Sequence, residues 1–246
     1  MNNYQTIEKL KNLHLGGMLN IHQQHVNDNL YSDYTIDQYV SLLADEESDL
    51  RQRRKVKRLL KQAGFETLAL IEDIDFHTQR QLDKNQFNNL LSLKFIRSNE
   101  NIIFTGPTGM GKSYLAQTIG VQACKHNYKV KYAQTARLLN QLKLSRLDGS
   151  YLKELKKLQS TDLLILDDFG LQAIDNAMRE ALLNIVQDRH HKKSTIIVSQ
   201  IPVSKWYDLI AEATIADAIL DRLVHSSHRV DLKGESYRKK MSTINK

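Results

Sequence analysis

The chain has 246 residues, 41% hydrophobic and 26% charged, proportions that exclude a disordered chain and a membrane-spanning one and that suit one full α/β core with a smaller appendage. No apolar run approaches the ~20 residues needed to cross a bilayer, Met1-Asn2-Asn3-Tyr4 lacks the pattern of a secretion signal, and Cys124 is a single cysteine, so a cytoplasmic protein without disulfides is expected. The formal net charge of +7 calls for an anionic partner, of which nucleic acid is the commonest.

The first hundred residues read as helical and poor in glycine. His14, His22 and His25 have no zinc-ligand spacing and read as surface or packing residues. Thr35 to Gln38 has the form of a capping box, opening a long helix towards Gln62 that Gly64 ends. Its charges separate, with Asp37, Asp45, Glu46, Glu47 and Asp49 followed by Arg51, Arg53, Arg54, Lys55, Lys57, Arg58 and Lys61. A solvated face with favourable end charges explains many such patterns. Seven cations without an intervening acid favour contact with phosphates. Residues 1–64 are therefore taken as a helical domain, 65–98 as a connector whose Phe65 to Phe76 segment presses onto a core, and 99–246 as the main domain.

From Asn101 short apolar strands alternate with helices, the pattern of a parallel sheet covered on both faces. Ile102–Phe104, Val130–Ala133, Leu163–Leu166, Thr195–Val198 and Arg229–Leu232 are the five expected strands. After the first stands Gly106-Pro107-Thr108-Gly109-Met110-Gly111-Lys112-Ser113, which fits G-x-x-x-x-G-K-[ST] between a strand and a helix. Such a loop turns backbone N–H groups, and the positive end of the helix beginning at Lys112, Ser113 and Tyr114, towards phosphates. Lys112 is expected on the β and γ phosphates of ATP and Ser113 on Mg2+.

Leu163-Leu164-Ile165-Leu166-Asp167-Asp168 is an apolar strand ending in two carboxylates, expected on a strand neighbouring the loop at the carboxyl edge of the sheet. Asp167 would hold the metal and Asp168 would orient or deprotonate the attacking water. Gln200, or alternatively Ser199, ends the fourth strand where the γ phosphate would be sensed. No N-K-x-D motif reads guanine, and no arginine-rich lid indicates a small-molecule kinase, although a DNA-independent kinase stays open as a reading. Residues 125–157 carry nine Lys or Arg against Asp148 and Glu154.

Taken together, G-P-T-G-M-G-K-S, L-D-D-F-G, S-Q-I-P, A-D-A-I-L-D-R-L and the terminal L-K-G-E-S-Y-R resemble the AAA+ ATPases of the IstB-like transposition-helper family. That family is related to DnaC-type helicase loaders and, more distantly, to DnaA initiators. Leu70 to Phe76 and Leu147 to Tyr151 also resemble family segments, so the likeness covers nearly the whole chain. It implies a P-loop AAA+ fold, a helical N-terminal domain for DNA binding and oligomerisation, and a homo-oligomer with shared ATP sites. It further implies that the oligomer assembles on double-stranded DNA without sequence preference and serves a partner transposase. Arg222 becomes a finger reaching a neighbouring subunit's γ phosphate, and Arg238 a weaker nucleotide sensor. Only fourteen residues follow Leu232, too few for the helical lid many AAA+ proteins carry, so no C-terminal lid domain is expected.

DNA contact is then expected on the basic half of the long N-terminal helix and on Arg137, Lys143, Arg146, Lys153, Lys156 and Lys157 between strands two and three. Aromatic residues are sparse in both patches, which favours duplex over single-stranded DNA. The alternative function is a DnaC-like helicase loader, distinguished by a helicase partner and a preference for single strands.

Overall fold

The computed structural model describes residues 3–76 and 81–234, side chains 3, 31 and 32 excepted. Arg238 lies outside the described residues. The chain divides into two compact units, Met1–Arg58 and Leu59–Lys246, with the division inside one long helix. No helix among the described residues is long and apolar enough to cross a membrane.

The first unit contains α1 (Asn3–Asn12), α2 (Gly16–Asn27) and most of α3 (Ile36–Ala63). The capping box forms as expected: Gln38 Oε1 accepts from the Thr35 amide at 2.9 Å, and Thr35 Oγ1 accepts from the Gln38 amide at 3.3 Å. Gly64, at φ +75°, takes the left-handed turn after the last helical residue. Glu47 is a buried charge in this unit, at 5% exposure. Its carboxylate accepts the Gly17 amide at 2.7 Å, at the start of α2, and Arg51 Nε at 2.7 Å. One side chain of α3 thus satisfies an amide that α2 leaves open at its N-terminus. His25 is buried and stacks on Tyr34 with ring centroids 5.4 Å apart, while His22 Nδ1 lies 2.9 Å from the Tyr39 hydroxyl, in keeping with a packing role.

In the second unit the five expected strands appear as β1 (Asn101–Thr105), β2 (Val130–Gln134), β3 (Leu163–Phe169), β4 (Ser194–Ser199) and β5 (Ser227–Asp231). All pair in parallel, in the order β2-β3-β4-β1-β5. The expectation that β3 neighbours the loop strand is corrected: β4 lies between β1 and β3. Spacing along the chain sets how much structure intervenes, whereas strand order follows from which crossovers pack, which no local pattern encodes.

Alternation along the strands feeds two cores. Ile102, Phe104, Ile165, Ile196 and Val198 face one, shared with α6 (Lys112–Lys125), α4 (Lys84–Leu91), α5 (Lys94–Arg97) and the last turn of α3. Ile103, Leu164, Leu166 and Ile197 face the other, shared with α7 (Thr135–Ser145), α8 (Tyr151–Gln159), α9 (Asn176–Arg189), α10 (Trp206–Ile210) and α11 (Ala213–Val224). Because both faces are covered, the central strands are apolar throughout rather than alternating. Within the 65–98 segment, α4 and α5 supply Phe87, Leu90, Phe95 and Ile96 to the first core, so this part of the connector is structural.

Burial alone would raise the Glu47 carboxyl's pKa, but its bonds to Gly17 and Arg51 outweigh that and hold it below the usual carboxylate range. A depressed folded-state pKa gives stability that is present above the unfolded value and lost as pH falls through the folded one. Glu47→Gln is expected to lower the melting temperature at neutral pH. The gap from wild type should close as the pH is taken below the carboxylate range, measured by circular dichroism melts across pH.

Candidate nucleotide site

The carboxyl ends of β1, β3 and β4 open into one cleft of about 780 Å³. Thr108, Gly109, Gly111, Lys112, Ser113 and Tyr114 line it from the loop and the first turn of α6, Asp167 and Asp168 from β3, and Ser199 and Gln200 from the end of β4. Gly106, Pro107 and Met110 do not line the cleft. Met110 is 1% exposed and belongs to the first core, so its side chain anchors the loop. The carbonyl oxygens of Gly106 and Pro107 accept from Lys112 Nζ at 2.7 and 2.8 Å, which curls the loop around its own lysine. Gly106 sits at φ +136°, and a Cβ placed there would stand 2.2 Å from the carbonyl oxygen of Leu232. Glycine is thus needed both for backbone conformation and for the close approach of the segment after β5.

Asp167 is 1% exposed, and both of its carboxylate oxygens accept hydrogen bonds. Its Oδ1 accepts the Ser113 hydroxyl at 3.0 Å and the Asp168 amide at 2.8 Å; its Oδ2 accepts the Tyr132 hydroxyl at 2.7 Å; its carbonyl accepts Thr135 Oγ1 at 2.7 Å. Burial, then the bond to Asp167, pushes the Tyr132 phenol far above its ordinary pKa, so it remains a protonated donor.

Successive residues of a strand point to opposite faces, so two adjacent acids would not ordinarily share a site. The ladder resolves this. Between Leu166 and Phe169, β3 carries an extra residue relative to Ile197 and Ser199 of β4, and Asp168 adopts φ +54°. The bulge and left-handed residue bring both carboxylates to the cleft and return Phe169 to the second core. Aspartate is among the residues that tolerate this conformation best.

Ser199 Oγ donates to the Phe169 carbonyl at 2.7 Å and accepts the Ile201 amide at 3.0 Å, with the residue fully buried. Ser199 is thus held by bonds at the ends of β3 and β4, which leaves Gln200 as the better candidate to meet the cleft's contents. Arg222 is half-buried on α11, where its guanidinium donates to the carbonyl of Ala218 at 2.7 Å, and it does not line the cleft.

Several further cleft residues were not expected at the site from the sequence. Glu66, Thr67, Asp73, Ile74 and Asp75 of the connector line it, with Gln117 and Gln134. Gln117 Oε1 accepts the amides of Glu66 and Thr67 at 2.9 and 3.1 Å, and Gln134 Nε2 donates to Glu66 Oε1 at 2.9 Å. The Tyr114 hydroxyl accepts the Leu70 amide at 3.0 Å and donates to Asp73 Oδ2 at 3.0 Å. Tyr114, expected only at the phosphate loop, therefore also clasps the connector to the helix that follows that loop.

The basic residues divide. On α3, Arg51 pairs with Glu47 and Arg53 lies 3.6 Å from Glu46, while Arg54, Lys55, Lys57, Arg58 and Lys61 are exposed. Between β2 and β3, Lys143 pairs with Asp175 at 2.6 Å, Arg146 with Glu180 at 2.9 Å and Lys157 with Glu154 at 2.5 Å. Arg146 also stacks over the Tyr151 ring, 4.7 Å from its centroid. Asp175 and Glu180, from the start of α9, lie outside the 125–157 window and offset part of its positive charge. Arg137, Lys153 and Lys156 are exposed.

The match to known proteins decides the family. The family model described as IstB-like ATP binding protein matches residues 8–244. This chain belongs to the IstB-like ATP-binding protein family. A Sinorhizobium fredii relative, whose name describes an insertion-sequence ATP-binding protein, is 39% identical over 236 residues and covers 96% of each chain. Another, from Pseudomonas fluorescens and named for the ATP-binding protein of insertion sequence IS1162, is 38% identical over 200 residues, 81% of this chain and 87% of its own. Among solved structures, DnaI aligns with a TM-score of 0.58 at 19% identity, over 72% of this chain and 94% of its own. DnaA bound to AMPPCP and single-stranded DNA aligns with a TM-score of 0.60 at 18% identity, over 74% of this chain and 57% of its own. These likenesses show that this IstB-like protein shares the nucleotide-binding fold of DnaI and DnaA.

Gly106→Ala is expected to displace either the start of the loop or the segment at Leu232. The outcome should be a lower melting temperature together with a loss of ATP affinity, read by thermal shift with and without nucleotide.

Proposed function

We propose that this IstB-like protein hydrolyses ATP with magnesium and uses the ATP-bound state to organise duplex DNA for a partner transposase. The observation that carries the ATPase reading is the Ser113 hydroxyl 3.0 Å from a buried Asp167 carboxylate, with Lys112 and Asp168 lining the same cleft. The donor set fits magnesium: oxygen ligands only, with the remaining positions left to phosphate and water. No cluster of three or more His, Cys, Asp or Glu side chains that could hold a metal occurs among the described residues, as suits an ion that relies on its substrate for ligands.

In this reading Lys112 exchanges its bonds to the Gly106 and Pro107 carbonyls for the β and γ phosphates, so the loop opens its cradle as the nucleotide enters. Ser113 and Asp167 would hold the metal, which when bound would neutralise charge developing on the phosphate oxygens. Asp168 orients the attacking water and takes up its proton, and Gln200 contacts the γ phosphate. Arg222 does not face its own cleft, which agrees with service to a neighbouring copy; arginine fingers of this kind are worth ~10³ to 10⁵ in rate.

The transposition role is supported by relatives named for insertion sequences, the first of them matching along 96% of both chains. The likeness to DnaI and DnaA is one of fold and does not favour a helicase loader. For DNA, the exposed cations of α3 offer the better phosphate-binding surface, since half of the expected cations between β2 and β3 are already paired with acids. Such contacts position a duplex without reading its sequence and weaken steeply with salt.

Lys112→Ala is expected to abolish ATP binding in equilibrium titrations. Asp168→Asn keeps a side chain that tolerates the left-handed backbone, so it should fold and bind ATP while turnover falls by about 100-fold or more. Turnover equal to wild type would remove Asp168 from the water-activating role. Replacing Arg53, Arg54 and Arg58 together by glutamate should weaken duplex binding by about tenfold or more at moderate salt, with ATP affinity unchanged. Fluorescence anisotropy of a labelled duplex, with ATP binding measured alongside, checks this, and unaltered DNA affinity would reject the α3 surface.

A further inference from the structure

The carboxylate of Asp167 is held from both sides. Ser113 and the Asp168 amide occupy Oδ1, and the Tyr132 hydroxyl occupies Oδ2 at 2.7 Å. Tyr132 lies on β2, paired in register with Ile165, two residues before Asp167 on β3, and is 4% exposed. Its ring sits in the first core beside Phe65, with centroids 6.3 Å apart. The terminal torsion of an aspartate is broad and roughly two-fold, so a carboxylate gripped at one oxygen alone can swing. With donors on both oxygens it cannot do so without breaking a buried bond.

We propose that Tyr132 is a positioning residue for the metal-binding carboxylate, fixing the rotation of Asp167 so that Oδ1 stays turned to Ser113. The inference rests on the reading of the cleft as a magnesium–ATP site. A phenylalanine would fill the same apolar space on β2; the hydroxyl is what reaches the carboxylate. Outer partners of metal ligands act in this way, orienting the ligand before the metal arrives. Tyr132 itself touches neither nucleotide nor metal in this arrangement.

The test is Tyr132→Phe in the full-length protein, with ATP binding titrated against free Mg2+ and, separately, in EDTA. The Mg2+ concentration for half-maximal ATP binding is expected to rise about tenfold. Metal-free ATP affinity should stay within about twofold of wild type, a split that general loosening of the core would not produce. Adding Tyr132→Phe to Asp167→Asn should shift the metal requirement no further, because the tyrosine acts through that carboxylate. An unchanged Mg2+ requirement in Tyr132→Phe, or the same shift in the Asp167→Asn background, would overturn the assignment. Should the Phe variant fail to fold, replacement of Tyr132 by 4-fluorophenylalanine, which fills the space of the phenol without a donor, gives the same two readouts. Wild type lacking any Mg2+-dependent ATP binding would instead sink the reading of the cleft and leave the hydrogen-bond geometry untouched.

Discussion

The hydrogen bond between the Ser113 hydroxyl and Asp167 Oδ1 joins the two ends of the cleft, because Ser113 rides on the first turn of α6 and Asp167 on the tip of β3. These strand ends are not adjacent; β4 stands between β1 and β3. A buried ionised carboxylate is costly unless it is fully bonded. The carboxylate of Asp167 has three partners, Ser113 and the Asp168 amide on Oδ1 and Tyr132 on Oδ2, while Thr135 bonds its backbone carbonyl. The side chains that bond this carboxylate come from the first turn of α6 and from β2, and the folded sheet brings them together.

The bulge at Asp168 is the local distortion through which the same strand serves both packing and chemistry. Leu164 and Leu166 face the second core and Ile165 the first, as a buried strand requires. One extra residue and a left-handed φ then bring both acids to the cleft and hand Phe169 back to the core beside Trp206, with ring centroids 4.6 Å apart. Strain of this kind is stable only where packing on both sides holds it, and Phe169 and Ser199 provide that hold.

The connector has a larger part than a linker. Tyr114 and Gln117, on one face of α6, bond the backbone of Leu70, Glu66 and Thr67, and so tie residues 66–70 to the helix whose first turn forms the phosphate site. Glu66 and Asp75 line the cleft itself.

The five strands, the phosphate loop and the paired acids were legible along the chain because each is written in local pattern: runs of apolar residues, glycines at fixed spacing, carboxylates at a strand end. The capping box at Thr35 and Gln38 and the stop at Gly64 were legible for the same reason, since both are bonds or torsions within a few residues. Strand order, the bulge that lets Asp168 share a face with Asp167, and the reach of Tyr132 from β2 were not, because each depends on residues brought together from distant positions. The acids of α9 that offset Lys143 and Arg146 are likewise about thirty residues away and invisible to a count of charge along a window. Chemistry carried by adjacent residues was set by the sequence alone, and the partners that hold each side chain in place were decided only when the sheet brought its strands together.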